Sequence, residues 1–149
     1  MTDKRPFSLE EFKGIYSKAT RLCVELVIKT PEGIVLTLRN LPSYHGQWHL
    51  PGGTVLYGES VADAIKRVAK EELDISVTID RLLGYIEYNE TKERGYGWTV
   101  SMDFLCFSDG KDMKHNEDAS EVRAFNKLPD NIIEEQRIFL EPMWNKIIK

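Results

Sequence analysis

The chain has 149 residues, of which 42% are hydrophobic and 30% are charged, and its formal net charge is −4. This profile predicts one globular domain over residues 1–149. It excludes a membrane-spanning helix, because no apolar run approaches the roughly 20 residues required, and it disfavours a nucleic-acid duplex as partner, because there is no basic stripe.

Two features of the sequence predict the compartment. Residues 1–6 lack the apolar core of a signal peptide. Cys23 and Cys106 are far apart in apolar, strand-like segments, and we expect two buried free thiols in preference to a disulfide. We therefore predict a cytoplasmic protein that does not associate with a membrane.

The chain begins with a predicted helix and a pair of strands. Ser8 opens a capping box for a short helix, within an N-terminal helical extension over 1–20 that either covers the sheet or supports a homodimer. Residues 22–30 alternate and are β-branched, which is typical of a strand, and 34–38 form the return strand after a turn.

The middle and end of the chain alternate between short strands and helices. A loop is predicted over 40–46, followed by extended pieces at 48–50 and 54–56 around a Pro-Gly-Gly turn. The remaining predicted elements are a helix capped by Ser60 that runs through Leu73, strands over 77–88, 98–107 and 121–125, and a helix over 129–148 that Pro142 bends or breaks. This order predicts an α/β sandwich with a mixed sheet.

The stretch from Gly53 to Ile75 carries the strongest functional signal. Gly53 is followed after five residues by Glu59, and after seven more by Arg67, with adjacent carboxylates at Glu71 and Glu72. Residues three or four apart share a helix face, so Arg67 lies beside Glu71. Clustered carboxylates repel unless a cation lies between them, and hard oxygen ligands suit Mg²⁺ or Mn²⁺. Such an ion neutralises a pyrophosphate.

This spacing, together with the approach Gln47 to Gly52, resembles the Nudix box, G-x5-E-x7-R-E-U-x-E-E-x-G-U, where U is a bulky aliphatic residue. The resemblance implies a Nudix-type α/β/α sandwich. It also implies Mg²⁺- or Mn²⁺-dependent hydrolysis of the pyrophosphate in a nucleoside diphosphate linked to another group. The expected partner is therefore a small nucleotide substrate.

The resemblance also implies roles for individual residues. Glu72 and Glu71 are the implied metal ligands, and the carbonyl of Gly52 completes the inner shell. Glu59 and Arg67 are the implied structural pair that holds the loop onto the helix, and Arg67 thereby supports catalysis.

Further site residues come from outside the box. A carboxylate from a later loop commonly serves as base or extra ligand, and Glu117 is the first candidate, followed by Asp118 and Glu121. Arg39, at the end of a strand, is predicted to bind phosphate, with surface solvation as the alternative. Trp48 is predicted to contact the substrate, with core packing as the alternative.

Two positions depart from the Nudix pattern. Asp74 replaces the glycine after the helix, and Asp tolerates the left-handed conformation there at a cost of about 1 kcal/mol. Val68 replaces the first Glu of the Arg-Glu pair, a frequent metal ligand or general base. Val68 either faces a depleted metal site or packs into the core.

Val68 also leaves two rival functions open. The same Glu is lost in the GDP-mannose mannosyl hydrolase branch, which attacks the sugar carbon and uses a histidine base from a late loop. Alignment puts Ile133 at that place, and His115 falls in a different loop. The other rival is a non-catalytic nucleotide-binding module.

Overall fold

The chain folds around a mixed β-sheet, described by a computed structural model over residues 6–89 and 97–149. The strands of this described part are β1 (Arg21–Thr30), β2 (Gly33–Arg39), β3 (Trp48–His49), β4 (Gly52–Thr54), β5 (Thr78–Asn89), β6 (Trp98–Phe107) and β7 (Ala119–Phe125). Its helices are α1 (Leu9–Tyr16), α2 (Val61–Leu73), α3 (Glu134–Leu140) and α4 (Trp144–Ile148). None of these helices combines the length and apolarity that a membrane crossing needs.

The two central strands separate soon after their turn. β1 and β2 pair only through Lys29 with Ile34 and Thr30 with Gly33. Beyond this point β1 pairs with β4 and, in parallel, with β6, while β2 pairs with β3 and β7. β5 is antiparallel to β6. Because β1 and β2 separate early, the edges that face each other become available to other strands. β4 pairs with β1 at its edge, and β3 pairs with β2 at the other.

Helices cover both faces of the sheet, because side chains alternate along its strands. On one face, Leu26 and Ile28 of β1 pack with α2. On the other face, Val27 packs with Leu140 of α3 and Trp144 of α4. The result is an α/β/α sandwich whose central strands are apolar on both sides.

Several predicted elements are confirmed. Ser8 forms both bonds of the capping box before α1, although no side chain of that helix is buried. Ser60 caps α2, which ends at Leu73, and Asp74 follows it in the left-handed conformation, with φ 55° and ψ 38°. Cys23 and Cys106 are buried and form no disulfide with each other.

Two predictions of local structure are wrong. Gly52 and Gly53 do not form a turn but lie in β4, extended against β1. The C-terminal helix does not start at Pro129, because the backbone around Asn131 and Ile133 bonds to Trp48 of β3 instead. The sequence also predicts a polar loop containing Arg94 and Gly95 between the strands over 77–88 and 98–107, and these two residues lie outside the described residues.

Val68 packs into the core, which was one of its two interpretations. It is 2% exposed and belongs to the apolar cluster between α2 and β1. A Cβ placed on Gly53 would lie 3.2 Å from Val68 Cγ2. Position 68 therefore closes the contact between α2 and β4, and a longer polar side chain has no room there.

Val68→Glu should lower the free energy of unfolding by about 3 kcal/mol or more, because it buries a carboxyl group without a partner. Added Mg²⁺ should not restore the loss. Ala62→Glu, at an exposed position of the same helix, should change stability by only about 0.5 kcal/mol. The measurement is urea unfolding with and without Mg²⁺, and metal-dependent recovery of Val68→Glu would show instead that position 68 faces a metal site.

Candidate active site

Arg67, in the middle of α2, joins that helix to the segment before it. Its Nε and Nη2 atoms donate to the two carboxylate oxygens of Glu59, at 2.7 and 3.0 Å. Nη2 also donates to the Thr54 carbonyl at 2.8 Å, and Nη1 donates to Glu71 at 3.0 Å. Glu59 accepts a further bond from the Leu56 N–H, and the Arg67 bonds lower the pKa of Glu59. One planar guanidinium thus holds β4, the connecting loop and α2 in a single arrangement.

Glu72 lies where α2 meets β4. Its carboxylate accepts a bond from the Gly52 N–H at 3.3 Å. The pKa of Glu72 is raised to about 8, mainly by burial. The charges of Asp118 and Glu71 also raise it, while the Gly52 bond and the charge of Arg39 lower it. The carboxylate is therefore held where its negative charge is poorly compensated by water or by protein groups.

The backbone of Gly52 points toward this carboxylate for a reason of strand register. The Leu26 N–H bonds to the Pro51 carbonyl, so in the antiparallel ladder the next residue, Gly52, turns its N–H and carbonyl away from β1. A Cβ on Gly52 would lie 2.8 Å from the Val24 carbonyl oxygen and 2.9 Å from Glu25 Cγ. Glycine is required here because β1 approaches this position closely, and not because the chain turns.

A divalent cation fits this donor set. Glu72, Glu71 and the Gly52 carbonyl are hard oxygen donors, and Mg²⁺ commonly binds one or two carboxylates plus substrate phosphates. Within residues 6–89 and 97–149, no three His, Cys, Asp or Glu side chains gather into a metal cage. A cation bound by these donors would therefore need further ligands from water or from another bound molecule.

The three candidates for the helper carboxylate lie in different surroundings. Glu117 is exposed, and its backbone carbonyl accepts a bond from Asn40. Glu121, in β7, pairs with Arg123. Asp118 is exposed like Glu117, and its charge raises the pKa of Glu72.

The two predicted substrate contacts also differ. Arg39 donates to the carbonyl and hydroxyl oxygens of Ser43, at 2.7 and 2.6 Å, and its charge acts on Glu72. Trp48 is only 9% exposed, packs edge-on against Phe125 and lies under the guanidinium of Arg123. Arg39 is therefore placed beside the site, whereas Trp48 is placed in the core.

Sequence reasoning missed a buried polar cluster on the opposite face of the sheet. The Tyr88 hydroxyl lies 2.8 and 2.9 Å from the two oxygens of Glu25, and Gln136 Nε2 lies 2.8 Å from Glu25 as well. Asp103 is beside Glu25 in the parallel register, and burial raises its pKa to about 10. The available signal was a carboxylate in the middle of each of two apolar strands.

The comparison with family profiles decides the family. Residues 19–140 match the profile of the NUDIX domain. The chain belongs to the Nudix family. This match covers β1 to α3 and includes every site residue described above. Glu59, Arg67, Glu71 and Glu72 are therefore interpreted by comparison with Nudix hydrolases.

Individual relatives agree with the family. The chain is 30% identical to the ADP-ribose pyrophosphatase of Methanocaldococcus jannaschii over 124 residues, covering 82% of this chain and 72% of that one. It is 39% identical to the low-salt glycan biosynthesis protein Agl8 of Haloferax volcanii over 79 residues, covering 53% and 51%. The chain thus spans about half the length of Agl8.

Solved structures share the fold. The MutT protein from Methanosarcina mazei Go1 superimposes with a TM-score of 0.74 at 21% identity, covering 89% of this chain and 98% of that one. The predicted Nudix-type α/β/α sandwich with a mixed sheet is therefore confirmed.

Arg67→Ala should lower the free energy of unfolding by about 2 kcal/mol, because it removes charge-assisted bonds to partly buried partners. It should also lower the hydrolysis rate by loosening the Gly52–Glu72 contact. Arg81→Ala is the matched control: Arg81 is 62% exposed and pairs with Asp80, so its loss should have little effect on either quantity. Unchanged stability and activity in Arg67→Ala would mean that its ion pairs are ordinary surface contacts.

Proposed function

We propose that the chain hydrolyses the pyrophosphate bond of a nucleoside diphosphate linked to a second group. The observation that carries this proposal is the Glu72 carboxylate, poorly compensated in charge and held beside the outward-turned backbone of Gly52. A bound Mg²⁺ or Mn²⁺ would compensate that charge and neutralise the pyrophosphate.

The protein's own residues take complementary roles in this reaction. Glu72 and Glu71, with the Gly52 carbonyl, hold the metal. Arg67 positions the helix, since it bonds to Glu71 and to the strand side of the site at once. Arg39 lies near enough to act electrostatically on Glu72 and can bind a substrate phosphate.

Asp118 completes the proposed site as the helper carboxylate. Its backbone carbonyl accepts a bond from Asn40 N–H, which ties the loop before β7 to the end of β2. Glu117 stays as the second candidate, since it is adjacent in the same loop. Exchanging each for its amide separates them, because only the true helper should shift the pH profile of the rate.

The relatives support a substrate with a sugar attached to the diphosphate. One is named an ADP-ribose pyrophosphatase, and another is named for glycan biosynthesis. ADP-ribose and nucleotide sugars are therefore the first substrates to test, ahead of dinucleoside polyphosphates and nucleoside triphosphates. Phosphate release should be measured for each with Mg²⁺ and with Mn²⁺.

Attack at the sugar carbon is the rival reaction. It is expected to use a late-loop histidine, but Ile133 at the aligned place is 3% exposed and carries no titratable group. His115 is exposed in a different loop, where its Nδ1 contacts the Asn116 carbonyl. The described residues thus favour attack at phosphorus.

Glu72→Gln should lower turnover about a thousandfold or more at saturating metal, because it removes the charge that holds the metal at the reacting centre. Its melting temperature should not fall, since the amide carries no charge to bury. Steady-state kinetics and thermal unfolding measure the two effects.

Glu32→Gln is the matched control, because Glu32 is an exposed carboxylate in the turn between β1 and β2. It should keep the full rate. If Glu72→Gln retains more than about a tenth of the normal rate, Glu72 is not the metal ligand. If the unchanged protein binds nucleotides but turns over none of the tested substrates with either metal, it is a binding module.

A further inference from the structure

We propose that Gln136, on the face of the sheet opposite α2, is a positioning residue that sets the metal affinity of the site by holding Leu50. The inference rests on the proposed function, since it concerns the same metal. Gln136 does not lie beside Glu72. It acts through the backbone of the segment 50–52, which crosses from one face of the sheet to the other.

The backbone of residues 50–52 connects Gln136 to Glu72, with hydrogen bonds at each of its three residues. Gln136 Oε1 accepts from the Leu50 N–H at 2.8 Å. Two residues further along, the Gly52 N–H donates to Glu72 at 3.3 Å. Between them the Pro51 carbonyl accepts from the Leu26 N–H at 2.8 Å. The three-residue segment is thus held by α3 at one end, by α2 at the other and by β1 in the middle.

The amide of Gln136 is itself held in one orientation. Its Nε2 donates to Glu25 at 2.8 Å and contacts the Tyr88 hydroxyl at 3.1 Å. The Leu50 N–H can only donate, so the oxygen of the amide must face Leu50 and the nitrogen must face Glu25. Glu25 is anchored in turn by Tyr88, and its side chain contacts Gly52 at the position where a Cβ would lie.

Packing alone does not account for a glutamine here. Gln136 is 1% exposed, and burial of an amide is unfavourable unless its hydrogen bonds are made. An apolar side chain of the same length would fill the space but would leave the Leu50 N–H and Glu25 without these bonds. What the amide adds is a fixed acceptor for the Leu50 N–H, and with it a fixed direction for the Gly52 carbonyl two residues later.

The central experiment compares two near-isosteric variants in the full chain. Gln136→Met removes the acceptor for Leu50 and the donor to Glu25. Thr30→Val, at the far end of β1, also removes two hydrogen bonds of a buried side chain, to the Gly33 carbonyl and from the Glu32 N–H. Both should lower the melting temperature by several degrees.

Of these two variants, only Gln136→Met should alter the metal site. The Mn²⁺ dissociation constant, measured without nucleotide by the electron paramagnetic resonance of free Mn²⁺, should rise about tenfold in Gln136→Met, as when a ligand's supporting contacts are lost. It should stay within about twofold in Thr30→Val, because that residue is remote from the ligands. At limiting Mn²⁺, turnover should fall in Gln136→Met, and saturating Mn²⁺ should restore most of it, while the KM for the nucleotide stays unchanged.

Gln136→Asn is a milder variant in case Gln136→Met does not fold. It keeps the amide but is one methylene short of reaching both partners, and should weaken Mn²⁺ binding about threefold. Destabilisation with an unchanged Mn²⁺ constant would overturn the proposal and leave Gln136 a purely structural residue. A raised nucleotide KM with an unchanged Mn²⁺ constant would overturn it in favour of substrate contact. If the unchanged protein neither binds Mn²⁺ nor hydrolyses nucleotides, the proposed function itself fails.

Discussion

A half-buried carboxylate at the junction of a helix and a glycine strand is the constraint on which the site depends. Burial raises the pKa of Glu72 to about 8, and the Gly52 N–H offsets only part of that effect. The fold tolerates this cost because Arg67 of α2 and Glu59 of the preceding loop form a partly buried, charge-assisted ion pair that fixes the geometry. The arrangement is stable enough to persist and still favours a bound cation.

Close backbone approach explains why the helix can meet the strand at all. Gly52 and Gly53 leave room for Glu25 on one side and for Val68 on the other. Val68 therefore fits a tight apolar contact where the common Nudix pattern has a carboxylate. The proposed site therefore has one charged group fewer than that pattern, and its carboxylates, Glu71, Glu72 and Asp118, come from α2 and the loop before β7.

Local patterns in the sequence predicted α2 and its charged face. The features that the sequence did not predict depend on contacts between residues far apart in the chain. The Ser60 cap and the spacing of Glu59, Arg67, Glu71 and Glu72 are local, so α2 and its charged face could be assigned. Gly52 lies in a strand because it pairs with β1. The residue types that signal a turn give no information about such a long-range pairing. Gln136 meets Glu25 from 111 positions away in sequence, and an isolated glutamine in a helical pattern carries no sign of such a partner.

The central claim is that a metal held by Glu72 promotes attack of water on phosphorus. Hydrolysis of an active nucleotide sugar or ADP-ribose in water labelled with oxygen-18 tests it most directly, because mass spectrometry locates the label in one product. The account predicts the label in a phosphate group, since the only late-loop residue at the expected place of a sugar-directed base is the buried, apolar Ile133. Label on the sugar carbon, with none in phosphate, would contradict it.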